Sequence, residues 1–381
     1  MSPDVNAAAA FAIAALATYI ATPLAIRLAV RTSFFDLPAG YKGHKRPTPY
    51  LGGTAIMVGI LAAVLAVGGT IAQHPVILAC ALAVCLLGTI DDRVNLPIGL
   101  RTLVEVGIAV LLWSTGRGWT VFHDAPADLL LTVIWVLGVM NAFNLMDNMD
   151  GAAASTAAVS AIGAGALALI SGDTALAPLC FALAGACAAF LPHNLARPAR
   201  IFMGDGGSLL IGLLVARVTM AAVTRSYLGP SGVIVAALLV GLVILDTTLV
   251  TISRTRAGRP VLSGGRDHIT HRLAHRLGTP RNVALTLAAA QLAICGLTIA
   301  LAQAGIGWVL LAGAAGIVLA ALLIWQFESS PMFQPEGTPT DPHTAVSTPS
   351  RPLPTGPELA PVTGALAAIT PDLISQRESG R

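Results

Sequence analysis

Charge is what this sequence has least of. Only 11% of its 381 residues are Asp, Glu, Lys or Arg, against 55% hydrophobic, and the mean hydropathy is +0.77. No soluble core can hide that much apolar sequence, so a soluble fold is excluded and a polytopic membrane protein is predicted. Cysteine is sparse as well. The five thiols, Cys80, Cys85, Cys180, Cys187 and Cys295, fall inside apolar segments with neither metal-ligand spacing nor an evident partner, which leaves packing as their role. The first apolar run, Ala7 to about Val30, has no basic segment before it and is long for a cleaved leader. It reads as a retained first span. No internal repeat of the kind that marks many secondary transporters is visible.

What is present is a series of eleven apolar runs, each near the ~17–25 residues that cross a bilayer. They are 7–30, 51–70, 75–90, 99–115, 128–146, 151–170, 174–191, 207–223, 230–252, 282–303 and 307–326. Several are rich in Ala and Gly, as helices that pack closely in lipid are. The expected class is an all-α transmembrane bundle of about eleven spans. The connections alternate in character. Gln73-His74, 116–128, 171–173, 224–229 and 304–306 are short and plain. The other set is 31–50, 91–98, 147–150, 192–206 and 253–281; with Arg101 it holds most of the 22 Lys and Arg residues, leaving Arg117 and Arg225 to the first set. Positive-inside reasoning makes the basic set cytoplasmic, with the N-terminus outside and the C-terminus in the cytoplasm. From Glu328 to Arg381 the chain carries ten of its 24 prolines with many Ser and Thr. Such a stretch cannot bury enough apolar surface to fold alone. The expected division is an integral-membrane domain over 1–327 and a disordered cytoplasmic tail over 328–381.

The few acids crowd the predicted cytoplasmic face. Asp91-Asp92 end the third span; Asn141, Asn144, Asp147 and Asp150 end the fifth; Asp205 opens the eighth; Asp246 lies about two turns inside the ninth. Acids at membrane depth are expensive and mark functional sites. Asn141, Asn144 and Asp147 share one helix face by their i, i+3 spacing. Helix capping at a membrane interface would explain one such pair, but not four on one side. At Gly204-Asp205-Gly206-Gly207-Ser208 a helix starts directly after glycines. Backbone N–H groups and the helix dipole there suit a phosphate, with Ser208 as cap or contact. A carboxylate beside a phosphate is repulsive unless a divalent cation lies between them, so Asp205 is expected to hold Mg²⁺.

Basic partners lie on the same side. YKGHKRPTPYLGG brings Lys42, His44, Lys45 and Arg46; RTRAGRPVLSGGRDHITHRL brings Arg254, Arg256, Arg259, Arg266, His268, His271 and Arg272. Arg254, Arg256 and Arg259 are equally explained as topology determinants. His268 and His271, at i and i+3, put two imidazoles beside guanidinium groups suited to a diphosphate. Glu105 pairs with Arg101 at i+4, and Arg27 and Arg217 can snorkel. Carboxylates for a metal, a phosphate nest and a basic rim beside lipid are the parts phosphoryl transfer needs.

DDRVNLP at Asp91, NAFNLMDNMDG at Asn141, HNLARPARIFMGDGGS at His193 and DHITHRL at Asp267, with KGHKRPTPYLGG at Lys42, resemble in order the motifs of the polyprenyl-phosphate N-acetylhexosamine-1-phosphate transferases (glycosyltransferase family 4). The likeness runs from about Lys42 to Leu273. It implies an integral-membrane enzyme that moves a sugar 1-phosphate from a UDP-amino sugar to undecaprenyl or decaprenyl phosphate and releases UMP. It further implies Asp205 as ligand of Mg²⁺, or Mn²⁺, with Asn144 near the metal, and Asp91 and Asp92 as the essential acidic pair. On these grounds the expected catalytic residues are Asp91, Asp92, Asp147 and His271. Expected substrate contacts are Lys42, His44, Asn141, Asn194, Gly206, Ser208, His268 and Arg272. Two positions depart from the pattern: Asn148 replaces the first glycine of DGxDG, and Thr270 the middle histidine of HxHH. The second points away from the muramoyl-pentapeptide branch and toward UDP-N-acetylglucosamine or a close relative. Nucleic acid is not expected as a partner; a homodimer is admitted. The competing readings are an ion-coupled transporter, whose acids would lie near the midplane in both halves, and a non-catalytic lipid-binding protein.

Overall fold

Apolar runs closed by Gly, Pro and polar turns become helices because lipid offers no partner for an unpaired backbone group. A computed structural model describes residues 2–38, 46–67, 75–224, 228–261 and 264–329. Its helices are α1 (Pro3–Arg31), α2 (Gly52–Ala66), α3 (Pro75–Val94), α4 (Ile98–Ser114), α5 (Ala125–Met146), α6 (Ala152–Ile170), α7 (Ala177–Asn194), α8 (Asp205–Thr224), α9 (Gly232–Leu239), α10 (Gly241–Arg256), α11 (Ile269–Leu277), α12 (Pro280–Ala304) and α13 (Ile306–Ser329). Among the described residues, eight helices are long and apolar enough to cross a membrane. The fold is that of an all-α polytopic membrane protein. The runs at 51–70 and 99–115 become the shorter helices α2 and α4. The run at 230–252 is broken, α9 and α10 meeting at 74°.

Among the described residues, the strands are a ribbon of β1 (Phe35–Asp36) and β2 (Thr48–Pro49), antiparallel with Phe35 opposite Pro49. It closes the loop that carries Lys42 and His44, which lie outside the described residues. The tail likewise lies outside them, and Glu328, expected within it, sits in the last turn of α13.

The core is built around α8, which α2, α3, α5 and α6 contact, and which is almost wholly buried. α1 buries a small-residue stripe, Ala7, Ala10, Ala14, Thr18, Thr22, Ala25 and Ala29, against α7 and α2. Small side chains let helix backbones approach where no hydrophobic drive separates helix from lipid. All five cysteines are free and buried, in keeping with packing.

Glycine decides where the ends of three helices meet. A Cβ on Gly53 would overlap the Gly207 backbone, and one on Gly88 would overlap that of Asp205. The N-termini of α2 and α8 and the C-terminal part of α3 therefore converge at one end of the bundle. There Gly52 and Gly53 donate to the carbonyls of Phe202 and Met203 at 3.1 and 3.0 Å. Gly204, at φ +72°, turns the chain into α8.

Candidate active site

The first polar cluster forms where α3, α4, α5 and α8 meet. Arg101 of α4 is its centre. One terminal nitrogen donates to Asp91 Oδ2 at 3.1 Å and Asp205 Oδ2 at 3.3 Å, the other to Asn141 Oδ1 at 3.2 Å. Its Nε stands 3.5 Å from Glu105 Oε1, the expected i, i+4 pair. Asn141 is fully engaged, donating to Glu105 Oε2 at 2.7 Å and to the Leu137 carbonyl at 3.0 Å. Asn144 donates to Asp205 Oδ1 at 2.8 Å and Ser208 Oγ at 3.0 Å. The α5 stripe therefore does face inward, as its spacing predicts. Arg101 is the residue the sequence reading passed over; its i+4 partner made it look like an ordinary surface pair.

The phosphate nest expected at 204–208 is filled from within. Asp92 accepts from the backbone nitrogens of Asp205 and Gly206 at 2.9 and 3.3 Å, and Gly207 and Ser208 donate to the Gly204 carbonyl at 3.0 and 2.9 Å. Gly206, expected on the substrate, has no N–H to spare, and Ser208, fully buried, accepts from the Asn144 amide through its hydroxyl oxygen. The physical reason is local: a carboxylate supplied by α3 satisfies the helix N-terminus better than a diffusing anion can. Asp91 is similarly held, by Leu96 N at 2.6 Å and by Arg101. Asn194, also expected on the substrate, is 4% exposed; it accepts from Gly151 N at 2.6 Å and donates to the Ile201 carbonyl at 3.1 Å. It pins two loops together.

Three acids keep capacity for a ligand. Asp205 has 35% of its side chain exposed. The carboxylates of Asp147 and Asp150 make no hydrogen bond to any described residue. Burial raises the Asp147 pKa well above its usual value, and the charges of Asp205, Asp150 and Asp92 raise it further. Burial pushes Asp150 up to about 6. Tyr50, which follows β2, has its phenol pKa raised by burial, then by Asp36 and Asp92. Nothing in the sequence marked it. Crowded carboxylates that resist ionising, with Arg101 as the cation bonded to them among the described residues, are a donor set that suits a divalent ion. No three His, Cys, Asp or Glu side chains among the described residues converge on one point. An ion would therefore rest on Asp205 and the uncommitted Oδ1 of Asn144, hard oxygen donors of the kind Mg²⁺ takes.

The second cluster joins α10 to α11. Arg254 donates to both oxygens of Asp267, at 2.7 and 2.9 Å, and to the Val261 carbonyl at 2.6 Å. Burial would raise the Asp267 pKa, but Arg254 holds it below the usual range. Asp246 takes His268 Nδ1 at 2.8 Å and Ile269 N at 2.7 Å, capping α11, while His268 Nε2 faces Arg254 Nη2 at 3.3 Å. Arg272 donates to the carbonyls of Asp267 and Phe327, to Ser253 Oγ and to Glu328. His268 and Arg272, expected on the substrate, thus have their polar atoms committed inside the protein; Arg254, equally explained as a topology determinant, is a buried partner. His271 is less enclosed: Thr270 Oγ1 lies 3.3 Å from its Nδ1, and its ring centroid is 6.1 Å from that of His268.

Residues 74–223 match Glycosyl transferase family 4, a stretch that holds the whole first cluster and none of the second. Over 281 residues the chain is 30% identical to the probable undecaprenyl-phosphate N-acetylglucosaminyl 1-phosphate transferase of Bacillus subtilis (strain 168), covering 69% of this chain and 76% of that one. It is 33% identical over 300 residues to the decaprenyl-phosphate N-acetylglucosaminephosphotransferase of Mycolicibacterium smegmatis, covering 68% and 73%. Against the undecaprenyl-phosphate alpha-N-acetylglucosaminyl 1-phosphate transferase of Escherichia coli (strain K12) the identity is 28%, covering 71% and 77%.

Proposed function

Because the chain belongs to Glycosyl transferase family 4, we propose that it transfers N-acetylglucosamine 1-phosphate from a UDP-sugar to a polyprenyl phosphate and releases UMP. The observation that carries this reading is the first cluster, where Asp147, Asp150 and Asp205 keep unspent carboxylate capacity beside Arg101. The basic loops around it support a cytoplasmic face, in a topology of about eleven spans with the N-terminus outside.

In this reaction an oxygen of the lipid phosphate bonds to the sugar-bearing phosphorus, the phosphoanhydride bond breaks, and its bridging oxygen leaves on UMP. Bound Mg²⁺ would offset charge on the phosphates. Asp205 would hold it, oriented by the Asn144 amide and balanced by Arg101. Asp92 fixes the start of α8, and with it Asp205. A phosphate monoester is mostly dianionic at neutral pH, its second pKa being near ~6, so it needs little help from a base. Direct attack therefore suffices, without a phospho-sugar enzyme. Asp147, its carboxylate unpartnered among the described residues and its pKa raised, suits any residual proton better than Asp91 or Asp92, both of which are engaged.

The test is UMP release by solubilised protein given UDP-N-acetylglucosamine, polyprenyl phosphate and Mg²⁺. Release that needs both the lipid phosphate and the cation is expected; its absence with well-folded protein counts against the reading. Acceptor-free exchange of labelled UMP into UDP-sugar would replace direct attack with a covalent route.

A further inference from the structure

The two positions that depart from the family pattern, Asn148 and Thr270, meet in space although 122 positions separate them: the Thr270 hydroxyl donates to Asn148 Oδ1. The hydrogens along this contact follow from the partners. The Leu145 carbonyl only accepts, so the Asn148 amide nitrogen faces it at 2.6 Å and Oδ1 faces Thr270. Oδ1 only accepts too, so the single hydroxyl hydrogen of Thr270 goes there. Lone pairs are all that Thr270 Oγ1 has left for His271 Nδ1, 3.3 Å away. Nδ1 must carry a hydrogen. Burial, with His268 and Arg266, lowers the His271 pKa to about 4, so the ring is neutral and Nε2 has a bare lone pair. That nitrogen bonds no described residue. At His268 the acceptor Asp246 and the donor Arg254 likewise fix a hydrogen on Nδ1, but both nitrogens are then used.

We propose that Asn148 and Thr270 are positioning residues that lock His271 as its Nδ1–H tautomer. Its Nε2 then accepts a hydrogen bond from a hydroxyl or amide N–H of the sugar nucleotide and cannot donate to the phosphates. The ligand's identity rests on the transferase reading; the tautomer does not.

The test uses full-length protein labelled with ¹⁵N-histidine, in lipid nanodiscs near neutral pH, with nitrogen shifts reporting the tautomer. The His271 signals are identified by their loss in His271→Gln. Wild type should show a protonated Nδ1 and a bare Nε2. Asn148→Ala frees the Thr270 hydrogen to point at Nδ1 and should move the hydrogen to Nε2; Thr270→Val should give a mixture, and Thr270→Ser the wild-type pattern. In turnover, Asn148→Ala should raise KM for UDP-N-acetylglucosamine about tenfold, the worth of one hydrogen bond, with little change in kcat. A wild-type ring protonated on Nε2, or an Asn148→Ala ring unchanged, overturns the proposal even if UMP release is intact. The expected tautomers in a protein without turnover would instead count against the transferase reading alone.

Discussion

Two polar clusters at the same end of the bundle look alike in sequence and are built oppositely. In the α10–α11 cluster, Asp246, Arg254, Asp267, His268 and Arg272 are each no more than 3% exposed and bonded to one another or to backbone. In the α3–α5–α8 cluster, Asp205 stays open, the carboxylates of Asp147 and Asp150 have no hydrogen-bonded partner among the described residues, and acids outnumber the cations bonded to them there. A satisfied, buried network holds shape; an unsatisfied one holds a ligand. The family match covers the second kind alone.

The contrast breaks most visibly at Asp205. Asp205→Asn should cut transfer by about a hundredfold or more, several kcal/mol of barrier, while unfolding stays near wild type. A variant that keeps more than about a tenth of its rate across a Mg²⁺ titration, ~1.4 kcal/mol, would remove the metal from this cluster. Asp267→Asn should do the reverse. It leaves Arg254 buried and unpaired, which costs about 3–5 kcal/mol of stability, and the protein that remains folded should turn over with an unchanged KM. Asn194→Ala strands the Gly151 N–H and the Ile201 carbonyl and should cost about 1–3 kcal/mol, again without raising KM; a KM effect with no loss of stability would restore Asn194 to the substrate.

The smallest effect is one of pH, and its sign differs between the clusters. Asp150 titrates at 3.8 when unfolded and at about 6 when folded. Its contribution is full below 3.8 and is lost as pH rises through about 6, so metal-free protein should melt higher at about pH 5 than at about pH 8. Asp150→Asn should flatten that slope. Asp267, held below 3.8, contributes above that value and loses its contribution only as pH falls through the lower folded one. Melting curves over this range separate the two.

The helices and the gathering of acids at one end were legible, because apolar length and the rarity of charge are properties of single segments. What failed to show was pairing between segments. DDRVNLP does not say that Asp92 will cap α8, since that depends on Gly88 and Gly53 letting three helix ends touch. Nor does DHITHRL say that Asp246, 22 positions earlier, will consume the His268 ring. The run through Val240–Gly241 is uniformly apolar, so the 74° break between α9 and α10 left no trace in hydropathy. Arg101 stood in plain view, hidden by a partner one helical turn away.

The claim that the open cluster is the site and the closed one its support is tested most directly by ligand-induced thermal stabilisation. Tm is measured with and without Mg²⁺ plus UDP-N-acetylglucosamine for wild type, Asp205→Asn, Asp267→Asn and Asn194→Ala. Wild type and the two support variants, whatever their starting Tm, should gain the same increment, and Asp205→Asn should gain none. An increment that survives in Asp205→Asn but vanishes in the two support variants would contradict the account.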